Sequence, residues 1–257
     1  MNNYQKFSGL HNNHAPFLLG NIWDVESAKI FAASGYQAIG TSSHAIAAAN
    51  GYEDGEQIPF ETVLRIAKRV IENVTIPFTV DLEAGYGRNV DGIIQNIEKL
   101  HAVGVVGINI EDTIPAAQRH LADTTVFAET IAVIADNIRK RNLQVFLNIR
   151  TDAFLLGMPE ALEETISRIK MYEKTGGDGI FVPGIVGTTD IAAVVQSTRL
   201  PINVMCMPGL PGFGELGRLG VKRISMGGFF YNKVYENARQ LSKAVLEDNS
   251  FLSIIHQ

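Results

Sequence analysis

Short apolar, β-branched segments alternate with longer amphipathic segments along almost the whole chain, and this alternation most limits the folds open to it. Segments of the first kind predict strands and segments of the second kind predict helices, which gives repeated strand-helix units around a parallel sheet. The predicted strands are residues 17–21, 38–42, 78–82, 107–110, 145–150, 179–182, 202–207 and 223–226.

Amphipathic segments lie between these strands and after the last one. The predicted helices are residues 59–73, 90–102, 125–141, 159–175, 190–197, 213–219 and 232–247. About eight units of roughly 32 residues each are the number and length expected of a (β/α)₈ barrel. We therefore predict an α/β protein with a single TIM-type barrel domain over residues 1–257. A dinucleotide-binding fold is the weaker alternative, because no glycine-rich phosphate loop follows the first strand.

The net charge and the cysteine content limit which partners the protein can bind and in which cellular compartment it is expected. The chain has 22 Lys and Arg against 27 Asp and Glu, a formal net charge of -5, so no basic surface for nucleic acid or an anionic membrane is expected. Its one cysteine, Cys206, excludes an intrachain disulfide and suits a reducing compartment. No apolar run approaches the ~20 residues of a membrane span, and no signal peptide is evident. We expect a cytoplasmic protein.

Polar side chains accumulate where the first five predicted strands end, which in a barrel is the catalytic rim. Residues two apart on a strand face the same side, so Asp81 and Glu83 can face one point, joined by Glu111 from the next strand. Crowded carboxylates repel unless a cation lies among them. Oxygen ligands without thiolates favour a hard cation, so we predict a Mg²⁺ site at these three residues.

Other rim residues are candidates for substrate binding and proton transfer. Arg150 ends an apolar strand and could bind a carboxylate or phosphonate with two parallel hydrogen bonds, or could form a structural ion pair with Asp152. Ser42, Ser43 and His44 follow the second strand. His44 is a candidate acid or base, with a hydrogen-bonded loop histidine as the alternative.

Several segments together resemble the isocitrate lyase and phosphoenolpyruvate mutase superfamily. They are TSSHAIAAANGYED, VDLEAGYG, INIED, LNIRTDAF, NVMCMPGLP and GVKRISMGG, in the order of the superfamily. The resemblance implies a (β/α)₈ barrel enzyme that binds a 2-oxo acid, or its enolate, on Mg²⁺. It implies that Ser42 and Ser43 hold the substrate carboxylate and that Arg150 binds substrate. It also implies a metal shell formed by Asp54, Asp81, Glu83 and Glu111.

The loop after the fourth predicted strand departs from the superfamily pattern. It reads TIPAAQRHLADTT and lacks the cysteine of the lyase branch and the lysine of the mutase branch. Its protonatable groups are Arg119 and His120, so His120 joins His44 as a candidate catalytic residue, with a solvent-facing histidine as the alternative. Cys206, on the seventh predicted strand between two methionines, is interpreted as a small buried hydrophobe.

These features predict a Mg²⁺-dependent lyase or mutase acting on a small 2-oxo carboxylate through a pyruvate enolate. Oxaloacetate decarboxylation is preferred because a departing CO₂ needs no acid, and a malate-type or methylisocitrate-type lyase and phosphonopyruvate hydrolysis are the other candidates. A 2-oxo acid binding protein without catalysis and a structural scaffold remain alternatives from other functional classes. We expect a homo-oligomer, either a dimer or a tetramer.

Overall fold

Eight parallel strands close into a barrel in the computed structural model, which describes residues 1–115 and 119–255. The barrel strands are β1 (Phe17–Ile22), β2 (Ala38–Thr41), β3 (Phe78–Asp81), β4 (Gly107–Glu111), β7 (Phe146–Arg150), β8 (Gly179–Val182), β9 (Ile202–Met205) and β10 (Arg223–Ser225). Two short strands, β5 (Thr113–Ile114) and β6 (His120–Leu121), pair antiparallel above β4. The predicted (β/α)₈ barrel is confirmed.

Hydrogen bonding runs around the barrel in the order β1, β2, β3, β4, β7, β8, β9, β10 and back to β1. Since every pair in the ring is parallel, all eight carboxyl ends meet at one rim. The register places Asp81 beside Asn109 and Glu111 beside Arg150. This register brings charged residues from three consecutive strands to the same part of the rim.

Helices surround the barrel in the alternation that the sequence predicts. They are α1 (Asn3–Leu10), α2 (Val25–Ala33), α3 (Ser43–Ala49), α4 (Phe60–Ile71), α5 (Val90–Val103), α6 (Thr124–Lys140), α7 (Ala161–Tyr172), α8 (Thr188–Gln196), α9 (Phe213–Leu219), α10 (Phe229–Glu247) and α11 (Leu252–Ile255). The helices α1, α2, α3 and α11 and the β5–β6 hairpin were not predicted, because each is short or lacks a clear 3.6-residue apolar period. No helix in the described part of the chain is long and apolar enough to cross a membrane.

The end of the barrel opposite the catalytic rim is closed by α1. Phe7 and Leu10 of this helix are buried against Phe17 and Phe146, which start β1 and β7. His11, at the end of α1, stacks on Phe146 with ring centroids 4.2 Å apart. A capping box at Asn2 fixes the start of the helix, so a short N-terminal segment forms a stable apolar floor.

The last long helix, α10, lies outside this core. None of its 19 residues is buried, although its sequence includes Phe229, Phe230, Val234, Tyr235 and Leu241. Every other described helix longer than four residues buries at least one side chain. Phe230 and Tyr231, in the first turn of α10, contact Phe31 and Trp23, and the rest of the helix presents exposed apolar side chains.

Candidate functional site

A cavity of about 330 Å³ opens at the carboxyl ends of the barrel strands. Acidic and basic side chains at the ends of the strands line this cavity, as expected for the catalytic rim of such a barrel. Its polar lining residues are Asn21, Thr41, Ser42, Ser43, His44, Asp54, Asp81, Asn109, Arg119, Arg150, Arg223, Ser225 and Asn232. Six of the residues predicted from the sequence therefore share one cavity: Ser42, Ser43, His44, Asp54, Asp81 and Arg150.

Asp81 ends β3 with its carboxylate at the cavity wall. Its Oδ2 accepts a hydrogen bond from the Ser43 hydroxyl at 2.9 Å, and its Oδ1 accepts one from the Asn109 amide at 3.3 Å. The backbone N–H of Asp81 donates to the Thr41 hydroxyl at 2.7 Å. Arg150 Nη1 lies 3.8 Å from Oδ2. Asp81 is thus oriented mainly by neutral donors, and its carboxylate faces the cavity.

Glu83 lies behind the cavity, in the turn that follows β3. Its backbone has a φ of 49°, a left-handed conformation rare for a residue other than glycine. Its carboxylate accepts hydrogen bonds from the Glu56 N–H at 2.8 Å and from the Tyr86 hydroxyl at 2.5 Å. Burial raises the pKa of Glu83 to about 7, and the negative charges of Asp54 and Asp81 add to the effect. The strained backbone and raised pKa are features that cluster at functional sites.

Glu111 ends β4 and is buried between two arginines. Its Oε1 lies 2.7 Å from Arg119 Nη2, and its Oε2 lies 2.8 Å from Arg150 Nη1. Burial raises the pKa of Glu111, and the positive charges of both guanidinium groups act in the opposite direction. Arg119 also lies 3.6 Å from Asp54. The arginine of the loop after β4 therefore bridges two of the four carboxylates that were assigned to the metal shell.

Arg150 is held by carboxylates on several sides. Its Nε and Nη2 donate to the two oxygens of Asp152 at 2.6 and 3.0 Å, and its Nη1 faces Glu111. The ion pair with Asp152 that the sequence offered as an alternative is therefore present, yet Arg150 also lines the cavity. These charges hold the pKa of Arg150 well above its usual range, although burial opposes them. The group is a permanent, oriented cation.

A buried network links this arginine to the outer helix α7. Asp152 accepts a hydrogen bond from Thr113 at 2.6 Å, and its backbone N–H donates to Asp112 at 3.1 Å. Asp112 in turn accepts from Tyr172 at 2.9 Å and from Arg168 at 3.1 Å. Asp112 and Asp152 therefore have structural roles, which agrees with the ordinary interpretation of an isolated aspartate after a strand.

The two candidate proton donors occupy different places. His44 lies in the first turn of α3 and lines the cavity, where its ring is next to the backbone of Gly228. His120 lies in β6, paired with Ile114, and does not line the cavity. Ser42 caps α3 by accepting from the Ala45 N–H at 3.2 Å, so one hydroxyl of the serine pair has a local structural role.

The sequence assigned no functional role to three kinds of residue at this site. A chain of amides below the cavity joins Asn109, Asn148 and Asn203, at 2.9 and 3.3 Å. Arg119 was noted as protonatable and not as a partner of acids. Arg223 lines the cavity from β10. Arg223 and Ser225 are two apart on a predicted strand, so the pattern applied to Asp81 and Glu83 could have found them.

The fit of a divalent metal depends on these carboxylates. Among residues 1–115 and 119–255, no three His, Cys, Asp or Glu side chains form a ready-made metal centre. The donor set is nevertheless all oxygen, with Asp81 and Asp54 at the cavity and Glu83 behind them. Burial is the main cause of the raised pKa of Glu83, and the negative charges of Asp54 and Asp81 raise it further; a nearby cation would oppose both effects. These residues fit a hard, partly hydrated cation better than a fully protein-ligated one.

Comparison with known proteins relates this chain to a family. A family model described as phosphoenolpyruvate phosphomutase matches residues 7–246. An uncharacterized protein of Mycobacterium tuberculosis is 32% identical over 239 residues, which are 93% of this chain and 88% of that protein. The oxaloacetate decarboxylase of Pseudomonas syringae pv. tomato is 26% identical over 225 residues, 85% of this chain and 76% of that protein.

Solved structures of similar proteins have the same barrel fold as this chain. A crystal structure from Burkholderia cenocepacia, provisionally described as a phosphonomutase, has a TM-score of 0.89 and 34% identity, covering 94% of this chain and 99% of that one. A phosphonopyruvate hydrolase in complex with oxalate and Mg²⁺ has a TM-score of 0.87 over 99% of this chain and 90% of its own. Its 20% identity shows the fold alone. With the matching family model and the barrel site, this chain belongs to the phosphoenolpyruvate phosphomutase family.

Proposed function

We propose that this protein is a Mg²⁺-dependent enzyme that breaks the bond to C3 of a small 2-oxo carboxylate, with oxaloacetate decarboxylation as the first candidate reaction. The observation that carries the proposal is the cavity at the barrel rim, where Arg150, Asp81 and the Ser42–Ser43 turn surround one small space. The family consists of lyases and mutases, and several relatives are named oxaloacetate decarboxylases.

The charge that develops in this reaction needs a fixed cation. When the C3–C4 bond of oxaloacetate breaks, CO₂ leaves and its electron pair moves to the 2-oxo oxygen, which gives the enolate of pyruvate. A guanidinium has five N–H groups. Asp152 accepts from two of those of Arg150, at Nε and Nη2, and Nη1 forms an ion pair with Glu111 without a hydrogen bond, so N–H groups on its two terminal nitrogens remain for the substrate. Their preorganised charge would stabilise the enolate as it forms.

Mg²⁺ is the cofactor that we propose for the carboxylates. Asp81 would hold the ion at the cavity wall. The shell would be completed by Asp54, Glu83 and Glu111. Glu111 would keep its ion pairs with Arg119 and Arg150. A bound Mg²⁺ supplies Lewis-acid polarisation of the 2-oxo group. Ser43 fixes the Asp81 carboxylate, and Asn109 supports it from the barrel interior.

The enolate must finally take a proton at C3. His44 is the better placed of the two candidate donors because it lines the cavity, whereas His120 lies in the β5–β6 hairpin outside it. Cys206 lies in a separate, apolar cavity between β9 and α10 and takes no part in this proposal.

A binding protein without catalysis is the second candidate. The pairing of Arg119 with both Glu111 and Asp54 favours it, because this cation neutralises part of the acidic cluster. Such a protein would bind oxalate or pyruvate tightly and would release no product.

The test is pyruvate formation from oxaloacetate, phosphonopyruvate and 2-methylisocitrate, with Mg²⁺ and with a chelator. Mg²⁺ alone decarboxylates oxaloacetate slowly, so the Asp81→Asn variant at equal concentration serves as the background. We expect turnover of oxaloacetate by the wild type, lost in the variant and with the chelator. If no substrate is turned over and oxalate still binds, the protein is a 2-oxo acid binding protein and not an enzyme.

A further inference from the structure

The side chain of Arg223 is buried in the barrel without a partner. The residue is 1% exposed, and its Nε has no hydrogen-bond partner. Within the described chain, its guanidinium makes no hydrogen bond, and no carboxylate lies within 4.0 Å of it. Arg150 and Arg168 are also buried, but each lies against a carboxylate. An unpaired buried charge is costly, so it needs an explanation.

The groups around Arg223 do not neutralise it. Its guanidinium lies over the Phe7 ring, 5.7 Å from the centroid. The buried His11 nearby stays neutral, because burial and the charge of Arg223 lower its pKa to about 3. Asp81 acts on Arg223 from beyond ion-pair distance. Burial lowers the pKa of Arg223 to about 9, as expected of a cation that lacks an anion.

Arg223 lines the same cavity as Arg150, but from a different wall. Arg150 ends β7 and Arg223 begins β10, and β8 and β9 separate these strands around the eight-stranded ring. Ser225 lies on the same face of β10 as Arg223, and its hydroxyl accepts from Asn203 at 3.3 Å and donates to the Val204 carbonyl at 3.2 Å. The cavity therefore has two positive groups at separate places, with polar side chains near the second.

We propose that Arg223 is a second anion subsite, so that a small dianionic 2-oxo acid binds with one anionic group at Arg150 and the other at Arg223. This inference rests on the proposed function and deepens it, since it names the residue that would hold the second anionic group of the substrate. A cavity of about 330 Å³ holds a molecule of that size. A single carboxylate held at Arg150 would leave Arg223 without an anion.

The test compares a dianion and a monoanion of similar size by calorimetry. The probes are L-malate, which has two carboxylates, and pyruvate, which has one. In Arg223→Met we expect the affinity for malate to fall roughly 10- to 100-fold, as for the loss of a charged hydrogen bond. The affinity for pyruvate should stay within about twofold. Arg218→Met, on the exposed surface of α9, is the matched control and should change neither affinity.

Arg223→Met should fold, because replacing an unpaired buried charge by an apolar side chain is neutral or stabilising. A second measurement uses the folded wild type: the ¹⁵N signal of the Arg223 Nε, assigned by its absence in Arg223→Lys, should shift with malate and not with pyruvate. Two results would overturn the subsite: an equal loss of affinity for malate and pyruvate in Arg223→Met, or an Arg223 Nε signal that does not shift when malate is added. Oxaloacetate turnover by the wild type is measured separately. The proposed subsite can therefore be wrong while the proposed reaction is right, and the proposed reaction can be wrong while the subsite is right.

Discussion

Three carboxylates surround the guanidinium of Arg150, and their positions decide which of its N–H groups face the cavity. Asp152 takes the Nε edge with two short hydrogen bonds, which fixes the plane of the group. A lysine could not reproduce this geometry, because its ammonium is a point charge on a flexible stem. The function of Arg150 thus depends on orientation as well as charge.

We expect Arg150→Lys to lower kcat/KM for the substrate found in the turnover assay by roughly 10²- to 10³-fold, the usual loss of a preorganised electrostatic partner. The measurement is pyruvate release at several substrate concentrations. Arg218→Lys is the control and should behave as the wild type. Activity of Arg150→Lys within about threefold of the wild type would contradict a catalytic role for Arg150.

Tyr172 anchors the network behind the site. Its hydroxyl donates to Asp112 at 2.9 Å, and Tyr172→Phe removes this bond from a buried carboxylate. We expect the free energy of unfolding to fall by about 1 to 3 kcal/mol, measured by urea denaturation. Tyr235→Phe, in the exposed α10, is the control. An equal change in both variants would show that the Asp112 network does not stabilise the fold.

At the scale of elements, α1 makes stability depend on pH. Burial lowers the pKa of His11 from 6.5 to about 3 in the folded protein. Because the folded-state pKa is the lower one, the unfolded chain binds a proton first, and this contribution to stability is lost as pH falls from about 6.5 towards 3. His11 makes its full contribution to the free energy of unfolding above pH 6.5. At pH 5 this free energy is lower by about 2 kcal/mol.

We therefore expect the free energy of unfolding of His11→Leu to depend less on pH between 8 and 5 than that of the wild type. Urea titrations at several pH values measure the difference. His14→Leu, three residues after His11 and exposed, is the matched control and should keep the wild-type slope. Parallel slopes for wild type and His11→Leu would show that His11 is not held neutral.

At the scale of the whole molecule, α10 leaves an apolar stripe uncovered. Phe230, Val234 and Leu241 lie at spacings of four and seven residues, which places them on one helix face, and all three are more than a third exposed. Apolar patches of this kind mark protein interfaces. The homo-oligomer expected from the sequence remains a prediction, and α10 is the surface on which we place it.

We expect light scattering after size exclusion to give a mass at least twice the 28.1 kDa of one chain. The double variant Val234→Glu and Leu241→Glu should be monomeric, because two charges in an apolar interface are costly. Gln240→Glu, also on α10, is the control and should keep the oligomer. A wild-type mass of one chain would show that α10 is exposed in solution.

The sequence by itself determined the barrel, since the period of its apolar residues dictates strand or helix locally, and all eight barrel strands lie within two residues of their predicted bounds. It also determined that Asp81 and Arg150 face the rim, because strand alternation sets the side of each residue. Tertiary structure decided which charges meet. Arg119 reaches Glu111 across a loop, and Arg223 lies unpaired inside the barrel, because such contacts depend on how distant segments pack and not on local periodicity.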